Sequence, residues 1–538
     1  MDTTFVSGTT ITSPWLNDVN TKTYHDTSST VGYTPAGTGA VPTTVQAKLR
    51  ESVSVLDFGA DPTGVASATS AFQAAVNNGG TVYVPSGTYK LNSQLKINTN
   101  NTTLLLAANV TLNLSGQAAN QNRADFGNQI NVTANYCAVI GSGPSSLIQL
   151  TNGTQSNAIG LLTGHVFTVR DLTMDGGAST VAGFTDDTFG CGILILCTNA
   201  DGATTDARAT IDSVYMRNFF HYGVSMYGEQ ANGIKVVNCN IESMGVVGQA
   251  TSVGGGIVCT ASPTDVTLSN NVIKNCKSHG IFVSSAGLNV SNYVISGNVI
   301  HQNGTTVSGS GILIAEEVQY GSTVGHGTAN VAITGNVCTG NGRAGVKLNV
   351  DTVGYITYVT ITGNTLEGNT FAGLELGCTN TAPSIISNVM VSGNQVAQNG
   401  TYQIQSSPYV SLVEGVKLPF TPSISGTSSA GTGTYTSQDG SYIKVGSIVT
   451  FELDCGWSAH TGTGNIQVNG FPYATNSSSP ISASWVWATG LTITGQATFG
   501  QTLNQTYGPL GAINNGAYSA VAMDTAAGIR ITGSYFTN

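Results

Sequence analysis

Charge is what this sequence has least of. Only 8% of its 538 residues are Asp, Glu, Lys or Arg, where a globular chain usually carries about 25%. That scarcity excludes a coiled coil, which needs dense Glu and Lys. The few charges comprise 17 basic and 27 acidic residues, a net of −10. No Lys/Arg run occurs, so the basic footprint of a nucleic-acid binder is missing. Apolar stretches near the ~20 residues of a membrane span are also missing, and membrane insertion is not expected. The opening MDTTFVSGTT has no basic segment followed by an apolar one, so it does not read as a secretory signal. The nine cysteines form an odd set without CxxC spacing, against both a disulfide framework and a zinc cluster. Cys259 and Cys338 lie in apolar, strand-like segments and read as small buried hydrophobes of a chain folded in a reducing cytosol. His165, His221, His279 and His301 lack metal-ligand spacing. No metal or other cofactor is expected.

What is present is glycine, 68 residues of it, together with 40% hydrophobic residues. That is enough apolar material for a large core, in a composition of turn formers and β-branched residues. The middle of the chain repeats itself. Units begin at Val266 (VTLSNNVIKNCKSHGIFVS), Val294, Val331, Val359 and Val389. Each runs from an alternating strand through an S/T-G-N turn to a short strand, then through an Asn-containing turn to a Gly and another strand. That Gly recurs at 192, 223, 256, 280, 311, 345 and 373, in steps of 24 to 34 residues. Three short strands per unit at this period predict the coils of a parallel β-helix, stacked ~4.8 Å apart. Asn298, Asn336, Asn364 and Asn394 follow Gly at one bend of the coil. Asn suits such a bend because it tolerates left-handed backbone, and stacked copies can form a hydrogen-bonded ladder.

The segment SATSAFQAAVNNGG, with Phe72, Ala75 and Val76 at helical spacing and Gly79 as a stop, predicts a short helix capping the open end of the solenoid. Residues 1–50 read as a separate attachment segment and 51–419 as the β-helix. Residues 420–538, with strands such as YIKVGSIVTFELD, read as an antiparallel β-sandwich. The predicted fold is thus all-β. Trp457, Trp485 and Trp487 lie in the last part, where packing against a core or a partner subunit competes with stacking on sugar rings.

Three segments carry a resemblance. The opening TTFVSGTTITSPWLNDVN resembles the head-binding module that begins many bacteriophage tail spikes. VLDFGADPTGVASATSAFQAAVNNGGTVYVPSGTY, with Asp57, Gly59, Ala60, Asp61, Gly64 and the stretch from Tyr83, resembles the first turns of the pectate-lyase-like superfamily of right-handed β-helices. GTYTSQDGSYIKVGSIVTFELDCGWSAHTGTGNIQVNGFP is similar to a terminal β domain of several tail spikes. The resemblance implies a homotrimeric virion protein that folds in the host cytoplasm and joins the phage tail or baseplate through its N-terminus. It further implies action at the outer surface of the host bacterium, on capsular polysaccharide or lipopolysaccharide O-antigen. It does not specify a reaction, because this fold carries many chemistries.

Ordinary glycoside hydrolysis needs two carboxylates, an acid and a base or nucleophile. Numbering each coil from its opening Gly, positions +1 and +3 (Ile312, Ile314; Val346, Leu348; Leu374, Leu376) face inward and +2 and +4 outward. At +6, Glu317 and Asp351 then fall on neighbouring coils about one strand spacing apart, near the ~5–5.5 Å of retaining enzymes. Glu316, beside Glu317, is the alternative solvent-facing acid. The competing reading makes all three ordinary loop charges. Lys347 and Glu375, both at +2, are either a surface ion pair or, with Asn349 and Arg343, a floor that holds sugar. Asp175, Asp186 and Asp187 form a cluster in the insertion MDGGASTVAGFTDDTFG, suited to a groove wall; the D-x-D-x-D-G spacing of a calcium loop is absent. Trp485 is a further candidate for substrate contact. The leading expectation is endo-glycosidic hydrolysis by Glu316 or Glu317 with Asp351. The alternatives are a lyase using Lys347 and Arg343 on an acidic glycan, and an adhesin that binds without cutting.

Overall fold

The computed structural model describes residues 7–24, 27–115, 127–151, 156–162, 166–177, 190–196, 208–228, 231–245, 254–261, 263–286, 288–317, 325–351, 353–378, 386–407, 410, 413–475, 485–500 and 502–537. The opening motif works through its short polar side chains. Ser54 and Asp57 cap each other's backbone around a single helical turn, Val55–Phe58, which Gly59 ends at φ 81°. Asp61 accepts from the Thr63 hydroxyl and from the amides of Thr63, Val65 and Ala66, which folds the next bend. The helix Thr69–Asn77 follows and buries Phe72, Ala75 and Val76, as its spacing predicts.

From Ser52–Ser54 to Val413–Glu414 the chain winds as a parallel β-helix. One strand of each coil joins an eleven-stranded sheet, and the other two join a bent sheet of twenty-three strands. The part of the eleven-stranded sheet that matters most comprises β1 (Ile281–Ser284), β2 (Ile312–Glu316), β3 (Ala344–Val350), β4 (Ala372–Cys378) and β5 (Tyr402–Ser406), paired in that order. Ile312, Ile314, Val346, Leu348, Leu374 and Leu376 are fully buried inside the coil, the alternation expected of a pleated strand. The recurring Gly has a steric cause. A Cβ on Gly256, Gly280, Gly311 or Gly345 would lie 2.5–2.8 Å from the carbonyl oxygen of the same Gly one coil on.

The Asn residues serve the ladder and not the left-handed bend. Gly297, Gly335, Gly363 and Gly393 take the positive φ, at 61–65°. Asn298, Asn336 and Asn364 sit inside, each amide donating to the side-chain oxygen of the next coil's Asn at 2.9–3.0 Å. A second ladder, Asn303–Asn341–Asn369–Asn399, runs the same way. Removing one rung strands several buried groups. Asn336→Leu deprives the Ile295 carbonyl, the Asn298 N–H and the Asn298 amide of their partner. At about 1–3 kcal/mol for each orphaned group, we expect a loss of about 3–5 kcal/mol, read as a fall in the unfolding midpoint.

The described residues between Leu418 and Phe536 form two antiparallel sheets of five strands each. Phe451 and Tyr535 pack with Phe471 and Phe499 in a cluster whose ring centroids are 4.9–6.3 Å apart. Seven described cysteines (137, 191, 239, 259, 276, 338 and 455) are buried and in no disulfide. Burial raises the thiols of Cys239, Cys259, Cys276, Cys338 and Cys455 to about 12. No described helix is long and apolar enough to cross a membrane.

Candidate functional site

The outer face of β2–β4 collects most of the charged candidates. Register places Leu313, Lys347 and Glu375 in one row across the strands, and Ala315, Asn349 and Gly377 in the next. Glu316 pairs with Val350, and the Asp351 amide donates to the Glu316 carbonyl at 3.1 Å. Glu317 and Asp351 follow directly, each one residue past the end of its strand on neighbouring coils, where continued pairing would set their backbones ~4.8 Å apart. Both side chains are half-buried. Asn349 donates its amide to Asp351 at 2.7 Å, which fixes one carboxylate oxygen. Gly377 leaves the space above Asn349 open, since a Cβ there would come 3.0 Å from the Asn349 side-chain oxygen.

Lys347 and Glu375 are a rung apart, as their spacing predicts, with Nζ 3.5 Å from Oε1. The stronger partner is Arg343. Its Nε and a terminal nitrogen each donate to Glu375 at 2.7 Å, the bidentate fork that favours Arg over Lys. Its guanidinium also lies 4.9 Å from the Phe371 ring centre, and Phe371 meets Tyr402 edge-on at 5.3 Å. Glu375 is only 4% exposed and its charge is fully compensated, which makes it a positioning group. Burial holds the Lys347 ammonium below its usual range, against the pull of Glu375. His279, under the same two cations, is lowered to about 4 by burial and by Lys347 and Arg343. Its Nδ1 accepts from the Ser310 amide at 2.9 Å, so it is neutral at pH 7.

Glu316 departs from the sequence reading. It shares the inward parity of Ile312 and Ile314, is wholly buried, and accepts from the Ser285 hydroxyl and from Thr328 Oγ1 at 3.0 Å. It does not face solvent. Burial raises its carboxyl to about 8, so at neutral pH it is a carboxylic acid inside the coil. Pleat parity alone separates it from Glu317.

The remaining candidates lie elsewhere. Asp186 and Asp187 fall outside the described residues. Asp175 belongs to a separate ladder: it binds Arg217 at 2.8 Å on the opposite sheet. Two coils further on, Glu242 pairs with Lys274 at 2.9 Å. Trp485 stands opposite Thr532 in the last domain; its side chain is outside the described residues. Trp457 is core, its indole N–H bound to the Asp524 carbonyl at 3.0 Å. Trp487 is 43% exposed, with the Arg530 guanidinium 5.3 Å from its ring. No group of three or more His, Cys, Asp or Glu among the described residues is placed to hold a metal ion.

A second feature went unread in the sequence. At the turn leading into β2, a groove of about 550 Å³ is lined by Asn275, Cys276, Lys277, Gln302, Thr305, Thr306 and Gly340. The available signal was spacing. Asn303 and Gly311 are eight positions apart, where Asn341 and Gly345, and Asn369 and Gly373, are four apart.

Comparison with known proteins bears on the fold. Residues 157–348 match the family described as "Right handed beta helix region". The coil is therefore a right-handed parallel β-helix. The solved Dettilon tailspike protein superposes on 97% of this chain and 100% of its own, with a TM-score of 0.60 at 16% identity. The tail-spike resemblance thus holds for the fold along nearly the whole chain. Two curated relatives from Azotobacter vinelandii, mannuronan C5-epimerases AlgE2 and AlgE5, are 25% and 26% identical over 310 residues. Those matches cover 55% of this chain and 25% of each relative.

Proposed function

We propose that this chain is a phage tail spike that binds and depolymerises a bacterial surface polysaccharide, capsule or O-antigen, on the outer face of β2–β4. The observation that carries the reading is the placement of Glu317 and Asp351, each directly after the paired residues Glu316 and Val350 of neighbouring coils, two outward positions along from the row of Lys347 and Glu375. Two carboxylates at about one strand spacing suit hydrolysis, one protonating the leaving oxygen and the other acting as base or nucleophile. Asn349 orients Asp351, and the Arg343–Glu375 fork with Phe371 supplies a rigid floor for sugar rings. Tail-spike topology over the full chain, and relatives named for an activity on the polymer mannuronan, both favour a polysaccharide substrate. In this proposal residues 1–50 attach the protein to the virion, and three copies assemble.

One observation favours elimination as a second reading. Lys347 is held below the usual ammonium range beside Arg343, which suits a base that takes a proton next to a sugar carboxylate while the guanidinium offsets the developing charge. A panel of capsule and O-antigen polysaccharides, assayed together for new reducing ends and for the ultraviolet absorbance of unsaturated uronates, decides. Reducing ends without absorbance are expected. Both signals rising together would replace hydrolysis with elimination. Binding without either signal would leave an adhesin.

A further inference from the structure

The groove beside the turn into β2 is built by a local departure from the repeat. Between the inward Asn and the opening Gly, neighbouring coils take Asn341-Gly-Arg-Ala-Gly345 and Asn369-Thr-Phe-Ala-Gly373. The coil of Asn303 inserts four further residues at this point, so that Thr305–Ser308 bulge outward. The bulge is ordered at its base. The Val307 and Gly309 amides both donate to the Gly304 carbonyl, at 3.1 and 3.0 Å, and the Gly304 amide donates to Cys276 at 2.9 Å. The next coil gives way to it: a Cβ on Gly342 would lie 1.9 Å from the Gly304 oxygen and 2.9 Å from the Thr305 Cα. The loop is therefore a fixed wall.

Beneath it the floor is a column of left-handed turn residues, Asn275 (φ 55°), Gln302 (φ 56°) and Gly340 (φ 62°). That conformation directs the Asn275 and Gln302 side chains outward, where both are exposed, and Lys277 lines the same groove. Asn275, Gln302, Thr305 and Thr306 thus bring two amides and two hydroxyls to one groove. Its volume of about 550 Å³ is within the ~300–1,000 Å³ of small-ligand sites. Neutral amides and hydroxyls with one cation match a ligand rich in hydroxyls, not a flat apolar one. Gly340 is three residues from Arg343 along the same coil.

We infer that this groove is a binding subsite for a further sugar residue of the polysaccharide, walled by Thr305–Ser308 and floored by Asn275, Gln302 and Lys277. The inference rests on the proposed function. Its contribution is to binding at a distance from the reacting bond, so it acts on KM and not on kcat. Deleting Thr305–Ser308 restores the four-residue spacing of the neighbouring coils. We expect it to raise KM for a cleaved polysaccharide about 10-fold with kcat within about 2-fold, since lost sugar contacts are worth ~3–10-fold each. Gln302→Ala and Asn275→Ala, both at exposed side chains, should each raise KM about 3-fold, and they decide the matter if the deletion lowers the unfolding midpoint. Unchanged KM in the point variants of an active protein would overturn the subsite alone. A wild-type chain that neither binds nor cleaves any polysaccharide of the panel would remove the proposed function, and the subsite with it.

Discussion

Replacing Glu317 and Asp351 together by Gln and Asn is expected to lower polysaccharide cleavage at least ~10³-fold, while affinity for the uncut polymer stays within about 3-fold. General acid and base catalysis each contribute roughly 10²–10⁴, and two groups that act as a unit do not add when removed together. The amides preserve size and most hydrogen bonds. In particular, an Asn at 351 keeps an oxygen for the Asn349 amide, which now binds Asp351 at 2.7 Å. The Arg343–Glu375 fork lies two outward positions away, beyond the row of Asn349 and Gly377, and is untouched, so the sugar floor remains. Reducing-end release and equilibrium binding, measured on the same preparations, separate the two effects. Full cleavage by the double variant would sink the assignment. Loss of cleavage in Lys347→Met, with the double amide still active, would move the chemistry to elimination, because Lys347 then remains as the base.

The solenoid is legible in the sequence because each coil solves the same steric problem. The Gly column reports one close approach, the carbonyl of the next coil under 3 Å from a would-be Cβ, and any side chain there would part the strands. The Asn column is visible for a similar reason, but its cause is not. A Gly-Asn pair at a bend is consistent with either residue carrying the left-handed conformation. Only the backbone shows that Gly335 takes it, at φ 63°, and that Asn336 turns inward to hydrogen-bond.

The site is legible only as far as strand parity reaches. Period-two alternation identifies Lys347, Asn349 and Glu375 as outward and correctly pairs Lys347 with Glu375. Carried one position further it also separates the adjoining acids, Glu316 inward and Glu317 outward, but only once the strand is known to reach Glu316. It misses Arg343 as the main partner of Glu375, since Arg343 comes from a turn and turns have no period. Outward positions are not always exposed: Val258 and Phe282 on earlier coils, and Leu313 and Ala315 on β2 itself, form a buried cluster on the outside of the sheet. Parity gives direction, and what covers a face is set by loops whose course the repeat does not encode.

Glu316 supplies the other large expected effect, on stability. Its carboxyl, normally near 4.5, is raised to about 8 by burial, so the folded chain holds a proton that the unfolded chain releases. Below pH 4.5 both states are protonated and nothing is lost. Between pH 4.5 and about 8 the unfolded state binds fewer protons, and stability declines with rising pH by up to ~1.4 kcal/mol per unit. Above pH 8 the loss levels off, at about 4–5 kcal/mol by the same linkage. Glu316→Gln removes the titration. Its amide can accept from one of the two hydroxyls, Ser285 or Thr328, and donate to the other. The variant should match wild type within about 1 kcal/mol at pH 5 and exceed it by several kcal/mol at pH 8.5, the difference between the two proteins growing steadily between those values. Denaturation midpoints at pH 5, 7 and 8.5 read this directly. Equal pH dependence in the two proteins would mean that the carboxyl ionises freely and is not enclosed as the geometry has it. The same variant settles its part in catalysis: cleavage within a few-fold of wild type is expected, because an acid sealed between Ser285 and Thr328 inside the coil does not reach a glycosidic oxygen outside it.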